Sequence, residues 1–564
     1  MTKYIHYPNR PKKLTAAFVK KEYDKLLAAL PNAENSNSPD AWLALYADWN
    51  ALKSYVSSEG ARIYWRFSQN MNNKSAEATE KYLREKIAPV CDKPEFSLTK
   101  AFLASRHRAA LAKRYGEQLV QDYETALKPL DPVNTQLGIK AGQLTKRYEK
   151  KVAGATVHVQ GEKITLSKAR SLLESDDGKL RQAAYLAGRN WFLKNHDQLA
   201  DIYDQLVKLR HKMAKNVGYS SYTSLAYKNM GRTDYDPKLA KTFRDNVYKY
   251  IVPLYATLTK AQSKALGTKT LKPWDASYDP STSLPLGVAP VDKQLDNAQR
   301  IFTRLSSILG EHFRQMRRDG LVDLENRLHK RTGAFCISFS DEDKAAVLCN
   351  SVGDAEDIRI LTHEMGHAFQ SLESQTIETV DLQSGTADLA EVYSMGMEFL
   401  SLEYIDEFFS SEDAKKFRVS RWSGAIKIIC YVCVVDEYQH WVYDNVNASA
   451  GERDKKWCEL SDKYTPGVDY KGFEKYKKSR WYAQSHIFSA PFYYIDYALA
   501  ETGAMQLGML ADESHVKAVS KYLKLCKIGG TKSFLKALDS AGLRSPFEEK
   551  LIVKLAQHAQ KILL

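Results

Sequence analysis

The chain has 564 residues, 44% hydrophobic and 27% charged, which is the balance of an ordinary globular protein and excludes a disordered or fibrous one. Its length exceeds one usual domain, so two lobes or one large multilayered helical body are expected. The net charge of +14 admits nucleic acid as a partner. However, the basic clusters at 146–151, 314–318 and 475–480 are each interrupted, and no zinc-finger, KH or RRM pattern accompanies them. Solvated helix faces account for them more simply. The first residues have no apolar signal-peptide core, and no stretch reaches about 18 unbroken apolar residues. Seven cysteines between Cys91 and Cys526 form no disulfide framework, so a reducing, cytoplasmic setting without a membrane partner is expected.

In chain order, residues 40–69, 98–127, 177–217 and 238–266 carry apolar residues at spacings of three and four and predict long helices. Residues 155–166 alternate instead and predict a hairpin with Gly161 near its turn. The proline- and serine-containing stretch 272–285 is the clearest long loop. Two strand-like runs, 333–339 and 345–350, flank the charged turn 340–344. They stand directly before the most informative helix. A strand beside that helix would offer its edge to a peptide backbone, although a purely structural hairpin fits equally well.

Across 355–372 the residues Ile358, Leu361, Met365, Ala368, Phe369 and Leu372 form one apolar stripe, and His363 and His367 fall almost opposite it. Residues four apart on a helix lie about 40° from each other, so both imidazoles reach one metal ion, with Glu364 to their side. The alternative is a solvated face that carries two histidines by chance. Hydrolytic zinc takes three protein ligands and leaves one position open. A second helix from Asp388, with Ser384 or Thr386 as its cap, offers Glu391 and Glu398 two turns apart. Spacing leaves both open as the third ligand, the other then orienting an imidazole or standing as an exposed charge. Cys430 and Cys433 lie in the apolar run 428–435 and are expected to pack on a buried helix. Further on, His486, Tyr494 and Tyr497 are neutral donors of the kind that stabilise a tetrahedral oxyanion, though aromatic runs are also common as core. Tyr493 is expected to pack among them.

The segments His363-Glu-Met-Gly-His367-Ala-Phe-Gln and Glu391-Val-Tyr-Ser-Met-Gly-Met-Glu398 resemble the metal site of the thimet-oligopeptidase family of zinc metallopeptidases. The oligoendopeptidase F and Pz-peptidase branch is the most similar. Residues 479–500 resemble that family's H-I-F-x-x-P-F-Y-Y-I-D-Y signature, 333–336 its G-A-F-C segment, and 167–236 are also similar. The resemblance covers roughly 115–560. One departure is Tyr393, where many members have proline.

The resemblance implies a mainly α, zincin-type metallopeptidase with a large helical shell around a deep substrate channel and a small β-sheet beside the metal helix. It implies one Zn2+ per chain held by His363, His367 and Glu391, with Glu398 behind them and Glu364 as general base. His486, Tyr494 and Tyr497 would face the oxyanion, and Gly333, Ala334, Phe335 and Tyr493 would line the substrate path. An N-terminal helical lobe, 1–190, and a catalytic domain, 191–564, are expected to hinge between 185 and 200. The expected reaction is internal cleavage of short unstructured peptides, with no nucleic acid partner. A carboxypeptidase-like exopeptidase on the same scaffold is the alternative, for which Arg480 or Lys478 would hold a terminal carboxylate.

Overall fold

Most residues of the computed structural model are helical, and the helices end where the backbone chemistry demands it. The structure describes residues 5, 7–129, 131–284 and 289–564, so the first four residues and Pro285, the last residue of the long loop, lie outside it. Asp40–Gln69 is one helix of 30 residues, as its periodicity predicts. Three other predicted helices are interrupted. The 98–127 stretch breaks at Ser105, which is extended, and at Gly116, whose φ of 106° is in the region that favours glycine. The 177–217 stretch divides into Gly178–Lys194 and His196–Asn216 at Asn195. The 238–266 stretch divides into Pro237–Tyr250 and Val252–Ala265 at Ile251, just before Pro253, which has no N–H to continue the ladder.

The predicted hairpin forms from Thr156–Val159 and Glu162–Thr165. Its two-residue loop, Gln160 and Gly161, has positive φ at both positions, as a type I′ turn requires. The second sheet has three strands. Lys344–Ser351 lies at its centre, antiparallel to Phe335–Phe339 on one side and parallel to Val322–Glu325 on the other. The strand Val322–Glu325 is an addition to the two read from sequence. Phe335–Phe339 therefore presents a free edge within this sheet.

The N-terminal helices share a core that includes Tyr23, Trp49, Leu98, Phe102 and Leu119, together with Leu382 from much later in the chain. Polar contacts reinforce that link: Tyr46 Oη lies 2.7 Å from Thr379 Oγ1, Asn50 Nδ2 donates to the Glu378 carbonyl at 2.7 Å, and Lys53 pairs with Asp381. The loop between the two helices that carry His363 and Glu391 is thus clamped from outside. Cys430 and Cys433 are buried in Ser411–Asp444 and unpaired, and no described helix is long and apolar enough to cross a membrane.

Candidate metal centre

The helix Ala355–Glu373 starts at a capping box in which Asp354 accepts the Asp357 N–H at 3.1 Å and Asp357 accepts the Asp354 N–H at 3.1 Å. Asp357 Oδ2 also accepts the N–H groups of Val352 and Gly353, so the end of the central strand is tied to the first helical turn. Ile358, Met365, Ala368 and Phe369 are fully buried, as the stripe predicts. His363 and His367 emerge on the other face with their rings 5.1 Å apart and nearly perpendicular.

The second helix, Ala387–Ser401, reaches them because Gly366 has no side chain. A Cβ at Gly366 would stand 2.5 Å from the Tyr393 carbonyl oxygen and 2.6 Å from Ser394 Cα. The backbones touch there, and the contact brings Glu391 to the histidines. One ligand atom each from His363, His367 and Glu391 lies within 4.8 Å of the others, and His363 Nε2 is 3.4 Å from Glu391 Oε2. Ser394 Oγ donates to Glu391 Oε2 at 3.1 Å. Glu398 is placed differently. Its carboxylate meets His363 Nδ1 at 2.7 Å, on the side of the ring away from Glu391, and ion-pairs with Arg421 Nε at 2.8 Å. Arg421 in turn pairs with Glu501 at 2.6 Å.

These surroundings set the protonation states. Arg421, then the His363 hydrogen bond and Arg359, overcome burial and hold Glu398 down to about 2, so it is a carboxylate. Burial, reinforced by His363, lowers His367 to about 3, so its imidazole is neutral with a free lone pair. Against the cost of burial, the Glu398 contact raises His363. Burial pushes Glu364 up to about 7, with Glu391 and Glu398 adding to the rise and His363 opposing it. Glu364 is only 8% exposed, and burial first, then the Glu364 carboxylate, raise the thiols of Cys336 and Cys349 on two adjacent strands.

The edge strand Phe335–Phe339 runs beside this helix, and Ser371 Oγ donates to Ser338 Oγ at 2.7 Å. Phe335 packs on Tyr64, Ala334 on the main core, and Gly333, at φ 86°, offers its carbonyl to Asn350 Nδ2. A cavity of about 360 Å³ opens beside His363 between Arg359, Met395 and Ile428. Another of about 450 Å³ lies between Ser338, Ser371 and the N-terminal helices at Lys53 and Glu95.

The aromatic block converges as a group. His486 lies 4.8 Å from the Tyr494 ring, 5.9 Å from Tyr493 and 6.1 Å from Tyr497. Tyr493 does more than pack: it is half-buried, and its phenol stands beside the Glu391 carboxylate and Tyr497. Sequence reasoning missed what aims this block. Phe492 is buried at φ 66°, its N–H donates to Gln439 Oε1 at 2.9 Å, and its carbonyl accepts from Arg232 Nη2 at 2.6 Å. Arg232 also pairs with Asp496, and Tyr235 donates to Asp388 and Asp496, which bridges the starts of the Glu391 helix and of Ile495–Ile528. No spacing in the sequence joins Arg232 to residues so far downstream.

The comparisons with known proteins agree with this arrangement. Residues 171–557 match the sequence model of peptidase family M3, and residues 12–130 match that of the peptidase M3 N-terminal domain. An oligoendopeptidase F homolog of Borreliella burgdorferi is 23% identical over 67% of the chain, and the chromosomal oligoendopeptidase F of Lactococcus lactis subsp. cremoris is 22% identical over 68%. The matches span 64% and 63% of those relatives' own lengths. Among solved structures, Pz peptidase A with an inhibitor superimposes with a TM-score of 0.88 at 30% identity, covering 99% of this chain and 98% of that one. A structure described as a putative oligoendopeptidase F from Bacillus anthracis gives 0.84 at 29% identity, with the same coverage. With a model of the family spanning well over half of its length, and with its fold shared end to end, the chain belongs to peptidase family M3.

Proposed function

We propose that the protein is a zinc-dependent endopeptidase that hydrolyses internal bonds of short unstructured peptides. The observation that carries this reading is the convergence of His363, His367 and Glu391 with Glu364 beside them. The donor set fits zinc. Imidazole nitrogen and carboxylate oxygen are donor types that zinc takes, and the three ligand atoms lie within 4.8 Å of one another, with His363 Nε2 and Glu391 Oε2 3.4 Å apart. Two imidazoles and one carboxylate would hold one ion and leave a position open. Zinc, when bound, supplies Lewis acidity that makes water nucleophilic near neutral pH and polarises a carbonyl.

The chain's own residues do the rest. Glu398 fixes the ring of His363 so that Nε2 faces the triad. Glu364 accepts the proton of the attacking water and passes it to the leaving amine, a role suited to a carboxyl whose affinity for protons is raised by burial. His486, Tyr494 and Tyr497 donate to the oxyanion, while the edge strand Phe335–Phe339, with Gly333 and Ala334 just before it, lines the path of the peptide backbone and pairs with it. The lobes 1–190 and 191–564 form the two walls of the substrate channel, and the free cysteines suit a cytoplasmic setting.

The test is Glu364→Gln. Zinc content measured by atomic absorption should stay at wild-type level while peptide turnover falls by about 10²- to 10⁴-fold. A variant that keeps wild-type turnover would remove Glu364 from the mechanism. Mass spectrometry of a ten-residue peptide blocked at both ends separates the two peptidase classes, because only an endopeptidase cuts it internally.

A further inference from the structure

Among the described residues six arginines are buried, and each has a partner: Arg181 with Asp275, Arg232 with Asp496, Arg244 with Asp436, Arg421 with Glu501, Arg453 with Asp204, and Arg210 with the Phe488 carbonyl. Arg189 and Arg480, each half-buried, break this pattern. Arg189 lies on the helix Gly178–Lys194, and its Nη1 is shut off from solvent with no hydrogen-bond partner; nitrogens of Arg232, Arg244, Arg421 and Arg453 are also unpartnered, but each of those side chains still holds a carboxylate through another nitrogen. It sits over the rings of Tyr185 and Phe192, which offer π faces but no acceptor for in-plane N–H groups. Arg480 stands over the Tyr431 ring at 5.2 Å, and among the described residues no carboxylate lies within ion-pair distance of it or of Arg189.

The helix Gly178–Lys194 packs on the turn Arg480–Ala483, which brings the two guanidinium groups within electrostatic range of each other. Burial first, and then the like charge of Arg480, hold Arg189 below the usual guanidinium range. Both act on the phenols of Tyr185 and Tyr431, Tyr470 stands near both guanidinium groups, and Arg170 adds a third positive charge toward Tyr431. Two like charges gathered without a counter-ion are costly, and an anion would relieve the cost.

The cluster borders the reaction centre. Tyr431 meets the Tyr494 ring edge-on at 6.0 Å and donates to Gln484 Oε1 at 2.9 Å, and Gln484 Nε2 is 2.8 Å from His486 Nδ1. The steps from Arg480 to Tyr431 and on to Tyr494 keep the guanidinium within about 11 Å of the Tyr494 ring, roughly three residues of extended chain.

We propose that Arg189 and Arg480, ringed by Tyr185, Tyr431 and Tyr470, bind the free C-terminal carboxylate of a peptide held in the active-site groove. This rests on the peptidase reading above and gives it a preference for free C-termini, not a requirement. Guanidinium groups pair with carboxylates through paired N–H donors, which a neutral carboxamide cannot match in charge.

The experiment compares a fluorescein-labelled seven-residue peptide of alanine, leucine and glycine with its C-terminal carboxamide, binding each to the zinc-loaded Glu364→Gln protein by fluorescence anisotropy. The carboxylate should bind at least about tenfold more tightly. Adding Arg189→Gln or Arg480→Gln should bring the ratio near one while carboxamide affinity stays unchanged. A carboxamide peptide ending in glutamate should bind like the plain carboxamide. If it recovers the tenfold, the site takes any carboxylate and the proposal falls. Equal affinity of the two peptides for Glu364→Gln, including no measurable binding of either, or a ratio that survives Arg189→Gln or Arg480→Gln, also overturns it. Because the key comparison is made on one protein, a folding defect cannot mimic the result. Failure of the wild-type protein to cleave either peptide would sink the peptidase reading separately.

Discussion

Gly366→Ala should detach metal binding from overall stability. The new Cβ would sit 2.5 Å from the Tyr393 carbonyl oxygen and 2.6 Å from Ser394 Cα, where ordinary contacts begin near 3.5 Å, so the helices must separate by about 1 Å. The atoms in the way are backbone and cannot rotate aside. Nor can Ala387–Ser401 retreat freely, because its far side meets Ile495–Ile528 at two more glycines. A Cβ built on Gly503 would lie 3.0 Å from Val392, and one on Gly508 2.7 Å from Phe399. Overpacking costs about 1–3 kcal/mol, and alanine recovers about 1 kcal/mol over glycine within a helix, so stability should fall by no more than about 2 kcal/mol.

Glu391 moves with the displaced helix, however, and metal geometry tolerates only about 0.2 Å. Zinc affinity measured by chelator competition should therefore weaken by about 10- to 100-fold, and kcat/KM should fall by about 100-fold. Gly142→Ala is the control: it is exposed on the helix Thr135–Ala153 and a Cβ there meets nothing within 4 Å, so it should leave both quantities unchanged. A Gly366→Ala protein with wild-type zinc affinity and turnover would refute the claim that this backbone contact places Glu391.

Two other variants probe the residues behind the centre. Glu398 binds its proton at about 2 in the folded protein against 4.5 ordinarily, so the unfolded chain takes up the proton first as pH falls. The stability it contributes is complete above about pH 4.5 and is lost as pH falls toward about 2. Urea melts of the metal-free protein between pH 3 and 6 should therefore show a shallower pH dependence for Glu398→Gln than for wild type, and equal slopes would contradict the assignment. Arg232→Ala leaves the Asp496 carboxylate buried without its partner and frees the Phe492 carbonyl. Urea unfolding should show a loss of about 3–5 kcal/mol, and kcat of the folded fraction should drop as the turn before Tyr493 and Tyr494 relaxes. A variant that melts like wild type would show that this contact does not hold the turn.

What could be read from the sequence follows from the range of each signal. The helix carrying His363 and His367 was legible because its stripe and its two histidines all lie within one 19-residue element, where periodicity reports which residues share a face. The hairpin was legible because two strands and their turn are contiguous. Periodicity does not report a change of direction, so the breaks at Asn195 and Ile251 passed unseen within longer helical patterns. The strand Val322–Glu325 is too short and too polar to declare itself, and exists because Lys344–Ser351 lies beside it.

The partners of the site are invisible for a stronger reason. Arg232 with Asp496, Arg421 with Glu501 and Arg189 with Arg480 join residues that share no element, so no local pattern holds both. Glycine marks the middle ground. Gly366 sits inside the metal helix, where it costs about 1 kcal/mol relative to alanine, an expense that local structure leaves unexplained. Gly503 and Gly508 do the same in Ile495–Ile528. A glycine in a well-capped helix beside two histidines four residues apart is thus itself evidence that another backbone crosses there, and the crossing element is where a third candidate ligand should be sought.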